Sequence, residues 1–360
     1  MPHRTTPAHR SEVALAAVLL AALTAASAGA APRGGAFPWF APEDVRTPVE
    51  VQVTTPDGES RTVRRCGAPA GPAKARAEVD AALDLWRSLG KRHRRAEKTT
   101  IPVAVHVVRG DGEVGEVSDR QIADQIRVLD RAFRRSAFRF ELASVDRTER
   151  RKWHRKCRPF DERGRLRATY RKMTSRLSVD PGTTLDLYTC DLLREDLLGT
   201  AMLPWFFLGE SPLDAVVVDY RTLPGGGAAP YDEGDTVVHE VGHWLGLHHT
   251  FQDGCSAPGD DVADTPFEAV PAIGCPVGRD SCADDPGLDP VTNFMDSGDD
   301  ACAARFSKGQ RRRARIAVDL YRPGIGGPAG GEAVKPPTPS SRSRTPGSRT
   351  PPAPVRSPTP

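Results

Sequence analysis

The chain has 360 residues, with 50 lysines and arginines against 47 aspartates and glutamates, a net charge of +3. That balance gives no bulk charge to mark a nucleic-acid binder. Beyond the N-terminus no stretch is apolar enough to span a bilayer, and both ends look non-globular, so one folded domain is expected rather than the two suggested by length.

The N-terminus carries Arg4 and Arg10, then an apolar run over 13–26, then small residues up to Ala30. This is the layout of a secretory signal peptide spanning 1–30, so the mature protein is expected to be secreted, with no membrane partner once the signal is removed. Export permits disulfides, and seven cysteines leave at least one unpaired within a single chain.

Residues 31–98 read as a separate segment, a probable propeptide. It holds a strand over 49–55, the stretch RTVRRCGAPAG around Cys66, and a helix over 77–90 with Val79, Leu83 and Trp86 at helical spacing. The basic run KRHRRAEK, 91–98, then reads as an exposed linker.

The globular part is expected over 99–322. IPVAVHVV, from Ile101, reads as a buried strand. Ser118 and Gln121 form a capping box ahead of an amphipathic helix over 119–135, striped by Ile122, Ile126, Leu129 and Phe133. Phe138, Phe140 and Leu142 alternate as a half-buried strand, and 184–192 and 213–220 read as two more. A basic stretch at 147–172 has no binding motif beside it and reads as a solvated face, so no nucleic acid is expected. A helix follows over 234–247, then a long Asp-, Gly-, Pro- and Cys-rich loop, then a helix capped by Ser307 and Gln310 and stopped by Pro323. This order implies an α+β domain with a mixed sheet. The Pro-, Ser-, Thr- and Arg-rich tail, 323–360, lacks the apolar bulk to offset its ordering entropy and is expected to be disordered.

HEVGHWLGLHH, 239–249, carries the chemistry. His239 and His243 are four apart and share one helix face. Glu240 stands beside the first of them, placed as a general base. Gly246 can end the helix in the left-handed region and bring His249 back as a third ligand. Three protein ligands leave one position open, which is the catalytic arrangement for zinc, one ion per chain. His248 is out of register with that turn and reads as a structural or surface residue. The rival reading is a secreted zinc-containing binding or adhesion protein, or an inactive homologue. Glu240 argues against the binder, because a structural site needs no base.

The motif H-E-x-x-H-x-x-G-x-x-H followed by a Met-turn candidate, NFMD with Met295, resembles the metzincin signature. HTFQDGC (249–255), GDDVADTP (259–266) and DDAC (299–302) resemble the pappalysin-like metzincins, including the smaller secreted microbial, cytophagalysin-type members. The resemblance implies a zinc endopeptidase acting on proteins or peptides. Its fold would be a twisted mixed sheet above the cleft, a zinc-binding active-site helix and a loop-rich lower subdomain. It implies Met295 as a hydrophobic floor under the metal, and calcium at Asp260, Asp264 and Thr265. It also implies disulfides Cys255–Cys282 and Cys275–Cys302, with Cys157–Cys190 as a third. Cys66 would then be left over, a cysteine switch through which the propeptide inhibits its own enzyme as a latent zymogen. Arg61, Arg64 and Arg65 are expected to favour its thiolate and to meet the acidic region after the zinc helix. In one respect the chain departs from the family. A tyrosine usually follows the Met-turn methionine by two residues, and here Ser297 stands there, too short to reach an oxyanion. Which of Asp299, Asp300 and Ala301 faces the cleft is not legible.

Overall fold

The computed structural model describes residues 49–88, 98–206 and 211–325. The expected signal peptide, nearly all of the 91–98 linker and nearly all of the tail lie outside them. The strands are β1 (Glu50–Thr54), β2 (Ser60–Cys66), β3 (Thr99–Arg109), β4 (Phe138–Glu149), β5 (Leu185–Cys190), β6 (Leu197–Ala201) and β7 (Ala215–Asp219). The helices are α1 (Ala73–Ser88), α2 (Asp119–Ala132), α3 (Arg151–His154), α4 (Ala168–Leu177), α5 (Asp235–Trp244) and α6 (Lys308–Tyr321).

All seven strands form one sheet in the order β1-β2-β6-β7-β5-β3-β4. Its centre is parallel: β3 pairs with β4 and β5, and β5 with β7. A parallel strand is covered on both faces, which is why β3 reads as an unbroken apolar run. Ile101, Val103, Val105 and Val107 join the core that includes Ile122 and Leu129 of α2 and Val237, Val238 and Val241 of α5. Val108 belongs to a second core with Tyr170 and Met173 of α4. The α+β, mixed-sheet class is as expected.

Local signals set the helix starts. Ser118 accepts from the Gln121 N–H, and Ser307 from the Gln310 N–H, each completing a capping box. The Gln125 side chain of α2 is buried and donates to Gly234 O at 2.9 Å, which ties α2 to the residue before α5. Arg322, just past α6, is also buried. It pairs with Asp214 and lies 4.1 Å over the Trp244 ring, fixing the end of α6 on the end of α5.

Several elements differ from expectation. β2 and β6 were not expected as strands, and β4 runs on to Glu149. Part of the basic stretch is α4, which buries Tyr170, Met173 and Thr174. α1 begins at Ala73 rather than 77, and α5 stops at Trp244 rather than 247.

β6 runs antiparallel to β7, and the N-terminal segment joins the sheet along its other side. β2 lies parallel to β6, with Arg64 opposite Leu197 and Cys66 opposite Gly199, and β1 is antiparallel to β2. The register therefore delivers Cys66 to the strand next to α5.

Three disulfides close the loops: Cys157–Cys190, Cys255–Cys282 and Cys275–Cys302. The last two staple the loop-rich segment after α5, which has few ladder hydrogen bonds of its own. Their separations of 33, 27 and 27 residues correspond to about 3–4 kcal/mol each in the chain-entropy picture. Cys66 is the free cysteine.

Candidate active site

His239 and His243 lie one turn apart on α5 and face the same way. The helix then ends, and Gly246 takes φ +93°, a conformation that side-chain-bearing residues rarely adopt. That turn sends the chain back, and His249 meets the other two. The three Nε2 atoms stand 3.1–3.2 Å from one another.

The ring tautomers follow from the neighbours. His239 Nδ1 lies 2.8 Å from Phe294 O, and His243 Nδ1 lies 2.8 Å from Leu247 O. A carbonyl only accepts, so each Nδ1 carries the hydrogen and each Nε2 presents a lone pair. Burial pushes all three imidazoles well towards their neutral forms. Converging lone pairs repel unless a cation lies between them. A tetrahedral zinc ion with nitrogens at about 2.0–2.1 Å would hold them about 3.3 Å apart. The donor set therefore fits a metal.

Cys66 completes the group. Its Sγ and the three ring nitrogens all lie within 4.8 Å of one another. The thiol is 3.6 Å from Glu240 Oε2 and accepts from the Ala68 N–H at 3.2 Å. Burial and the Glu240 charge push the thiol up, and Arg65 is the arginine that pulls it down. The expectation for the arginines is therefore met only in part. Arg65 reaches the acidic region, whereas Arg61 pairs with Asp196 at 3.1 Å.

Glu240 is fully buried. Its Oε1 has no hydrogen-bond partner among the described residues, and burial raises its carboxyl to about 8. A cation beside it would oppose that shift.

Met295 is fully buried under α5. A Cβ on Gly242 would come 2.3 Å from its sulfur, so the glycine inside HEVGH makes room for the Met-turn. Asn293 Oδ1 accepts from the Met295 N–H at 3.0 Å, and Met295 O from the Thr250 N–H at 3.2 Å. The turn thus bridges the first imidazole, through Phe294 O, and the residue after the third. His248 is not at the surface; it is buried near Trp205, with ring centroids 5.7 Å apart. Ser297 is buried, its Oγ has no partner among the described residues, and its carbonyl accepts from Tyr231 Oη at 3.2 Å.

Sequence reasoning missed a pocket beside the cluster. Arg65, adjacent to Cys66, is 2% exposed. It donates to Thr236 Oγ1 at 2.7 Å, lies 3.9 Å from Asp300 Oδ1 and stacks 4.7 Å above the Tyr231 ring. Of the three residues left open after the Met-turn, Asp300 faces this arginine. Burial raises Asp300 to about 6 against the pull of Arg65, and raises Asp235 to about 8 with help from the Asp300 charge. Only the RRC spacing hinted at it, since an arginine next to Cys66 must land one residue from the cluster of His239, His243 and His249.

The three residues that the resemblance places at calcium lie between the α5 motif and α6. Asp264 accepts from the Gly309 N–H at 2.9 Å and from Ser307 Oγ at 2.6 Å, at the start of α6. Asp260 Oδ2 and Thr265 Oγ1 are buried without partners among the described residues.

The comparisons with known proteins fit this geometry. A family model described as pregnancy-associated plasma protein-A, peptidase M43, matches residues 196–319. An extracellular metalloprotease of Pyricularia oryzae is 36% identical over 272 residues, 72% of this chain and 90% of the relative. One from Verticillium alfalfae is 40% identical over 234 residues, 62% of this chain and 78% of the relative. Among solved structures, a mutant promirolysin of Tannerella forsythia matches with TM-score 0.58 and 27% identity, covering 71% of this chain and 92% of that one. Mature mirolysin from the same organism, in complex with a cleaved peptide, matches with TM-score 0.53 and 29% identity, covering 65% and 100%. With relatives this similar over most of both lengths, the chain belongs to the M43, pappalysin-like branch of the metzincins and is a metalloendopeptidase.

Proposed function

We propose that the chain is a secreted endopeptidase made as a latent zymogen, with zinc held by His239, His243 and His249 and with Glu240 as general base. One observation carries this: three imidazole lone pairs, the Cys66 sulfur and a buried carboxylate converge on one point. Secretion is supported by the apolar run over 13–26, the three disulfides and relatives named extracellular metalloproteases. The segment 31–98 is the propeptide and 99–322 the catalytic domain.

Zinc held there supplies a Lewis acid for a peptide carbonyl and makes a water nucleophilic near neutral pH. The rest falls to the chain. Glu240 takes the proton of the attacking water and passes it to the departing amine. β6 loses its partner β2 when the propeptide leaves. Its backbone groups, such as Gly199 O, which accepts from the Gly67 N–H at 2.9 Å, then become free to hold a substrate in extended form. Ser297 offers no phenol to the oxyanion, so either another donor stabilises it or turnover is lower.

In the latent form Cys66 fills the place the reacting water needs. Replacing Cys66 by alanine in the uncut chain should let peptide cleavage begin without processing. Equal activity, or equal silence, of the two uncut chains would remove Cys66 as the switch.

Arg65 also acts as a cast of the neighbouring pocket. Once it departs, the buried Asp300 carboxylate loses the cation it faces, and Asp235 beside it loses the same charge. The substrate class supported is a peptide with arginine or lysine next to the bond cut. Truncating one partner of a buried charge pair costs enough that Asp300→Ala should lower kcat/KM on such peptides by about 30-fold or more. Peptides with an apolar residue there should be much less affected. Profiling cleavage sites in a peptide mixture checks this, and an unchanged preference for basic residues would exclude Asp300.

A further inference from the structure

The propeptide touches the catalytic domain at two separate places. The first is the β1–β2 pair, ending in Cys66, whose Val51, Val53 and Val63 share a buried core with Leu193, Leu198, Ala228 and Tyr231. The second is α1, which lies on α6. Its apolar stripe, Val79, Ala82, Leu83 and Trp86, follows the i, i+3, i+4, i+7 pattern of a helix that seats one face in a groove. Val79 and Leu83 are buried in the same core as Ile316, Ala317 and Tyr321 of α6, with Trp86 and Leu320 half-buried against it. Two ion pairs flank the stripe. Arg76 reaches Asp253 at 2.6 Å, and Asp80 reaches Arg313 at 2.7 Å. Arg313 is itself pre-positioned. Its Nε donates to Gly246 O at 3.0 Å, it also pairs with Asp261, and its side chain is 3% exposed.

The catalytic side of this contact is therefore a formed surface: an apolar helix face bordered by a held cation, Arg313, and an anion, Asp253. We infer that this surface is a docking site for an amphipathic helix, and that its occupant is the Ala73–Ser88 helix of this same chain, bound strongly enough to keep the propeptide in place after the linker is cut. Latency by Cys66, as proposed above, supplies the consequence but not the binding. β2 and the thiol block the site, and α1 adds affinity away from it. Two linked contacts raise each other's effective concentration, so one cut between Ser88 and Lys98 does not free the enzyme. The enzyme becomes active when α1 itself is cut or displaced, and the freed propeptide inhibits in trans.

The test uses the full chain with a recognition site for a sequence-specific protease placed between Ser88 and Lys98. After complete cutting, gel filtration at micromolar concentration reads by mass whether the fragment travels with the catalytic domain. The fragment is expected to co-elute, with little peptide cleavage. Burying a large aliphatic side chain is worth roughly tenfold to hundredfold in affinity, so Leu83→Asp should weaken retention by at least that factor. Asp80→Ala, which leaves the stripe intact, should weaken it by about tenfold. Prompt loss of the wild-type fragment would overturn the inference, as would retention unchanged in both variants. Retention is read without activity. A Cys66→Ala chain that stays silent would therefore count against the switch, while co-elution would still decide the role of α1.

Discussion

Glu240→Gln in the matured enzyme should lower kcat by roughly 10²–10⁴-fold, the usual worth of a positioned general base. The substitution keeps the size and shape of a side chain that is fully buried, so the fold has no reason to change. It removes the basicity of a carboxylate whose Oε1 has no other partner and whose Oε2 faces the position held by the Cys66 sulfur. KM should move little, since the side chain acts on the water rather than on substrate binding. Zinc content should also stay at one per chain, because the three imidazoles are untouched. An unchanged kcat would exclude Glu240 as the base. Loss of zinc together with activity would make it a ligand instead.

His249→Ala should weaken zinc binding by more than about 100-fold, given that losing even an outer partner of a ligand costs roughly 10–100-fold. His249 lies beyond the Gly246 turn, so α5 cannot replace it. It is held by stacking on Phe251, with ring centroids 4.6 Å apart, and by the Thr250 N–H bond to Met295 O. Its removal leaves two imidazoles on one helix face and no third nitrogen. The loss should appear as metal in the flow-through on desalting. A 100-fold weaker site also gives up about 2.7 kcal/mol of zinc-linked stability, seen as a smaller rise in Tm on adding zinc. Full zinc occupancy in this variant would overturn the assignment.

The parts of the molecule that were legible in the sequence are those set by local chemistry. The two capping boxes, the apolar run of β3 and the turn at Gly246 each need only a few neighbouring residues to be read. What was not legible depends on pairing across the chain. β6, LLGTA, is short and contains Gly199, which reads as a break. In the fold a Cβ there would meet Glu240 Cγ at 2.7 Å, so the glycine serves the approach of α5. β2 is rich in arginine and looks like surface until β6 and the acidic pocket are set beside it. β4 runs past Leu142 with side chains mostly exposed, as an edge strand can, so its apolar alternation stops before the strand does. The destination of Arg65 follows from the register of β2 on β6, which no local pattern encodes.

The most direct measurement is cleavage of a complex peptide mixture by the matured enzyme, with and without a zinc chelator, beside Glu240→Ala. New peptide ends should form next to arginine or lysine, vanish with the chelator, return when zinc is restored, and be absent with Glu240→Ala. Cleavage that ignores the chelator, or no new ends under any of these conditions, would contradict a zinc endopeptidase built on His239, His243, His249 and Glu240.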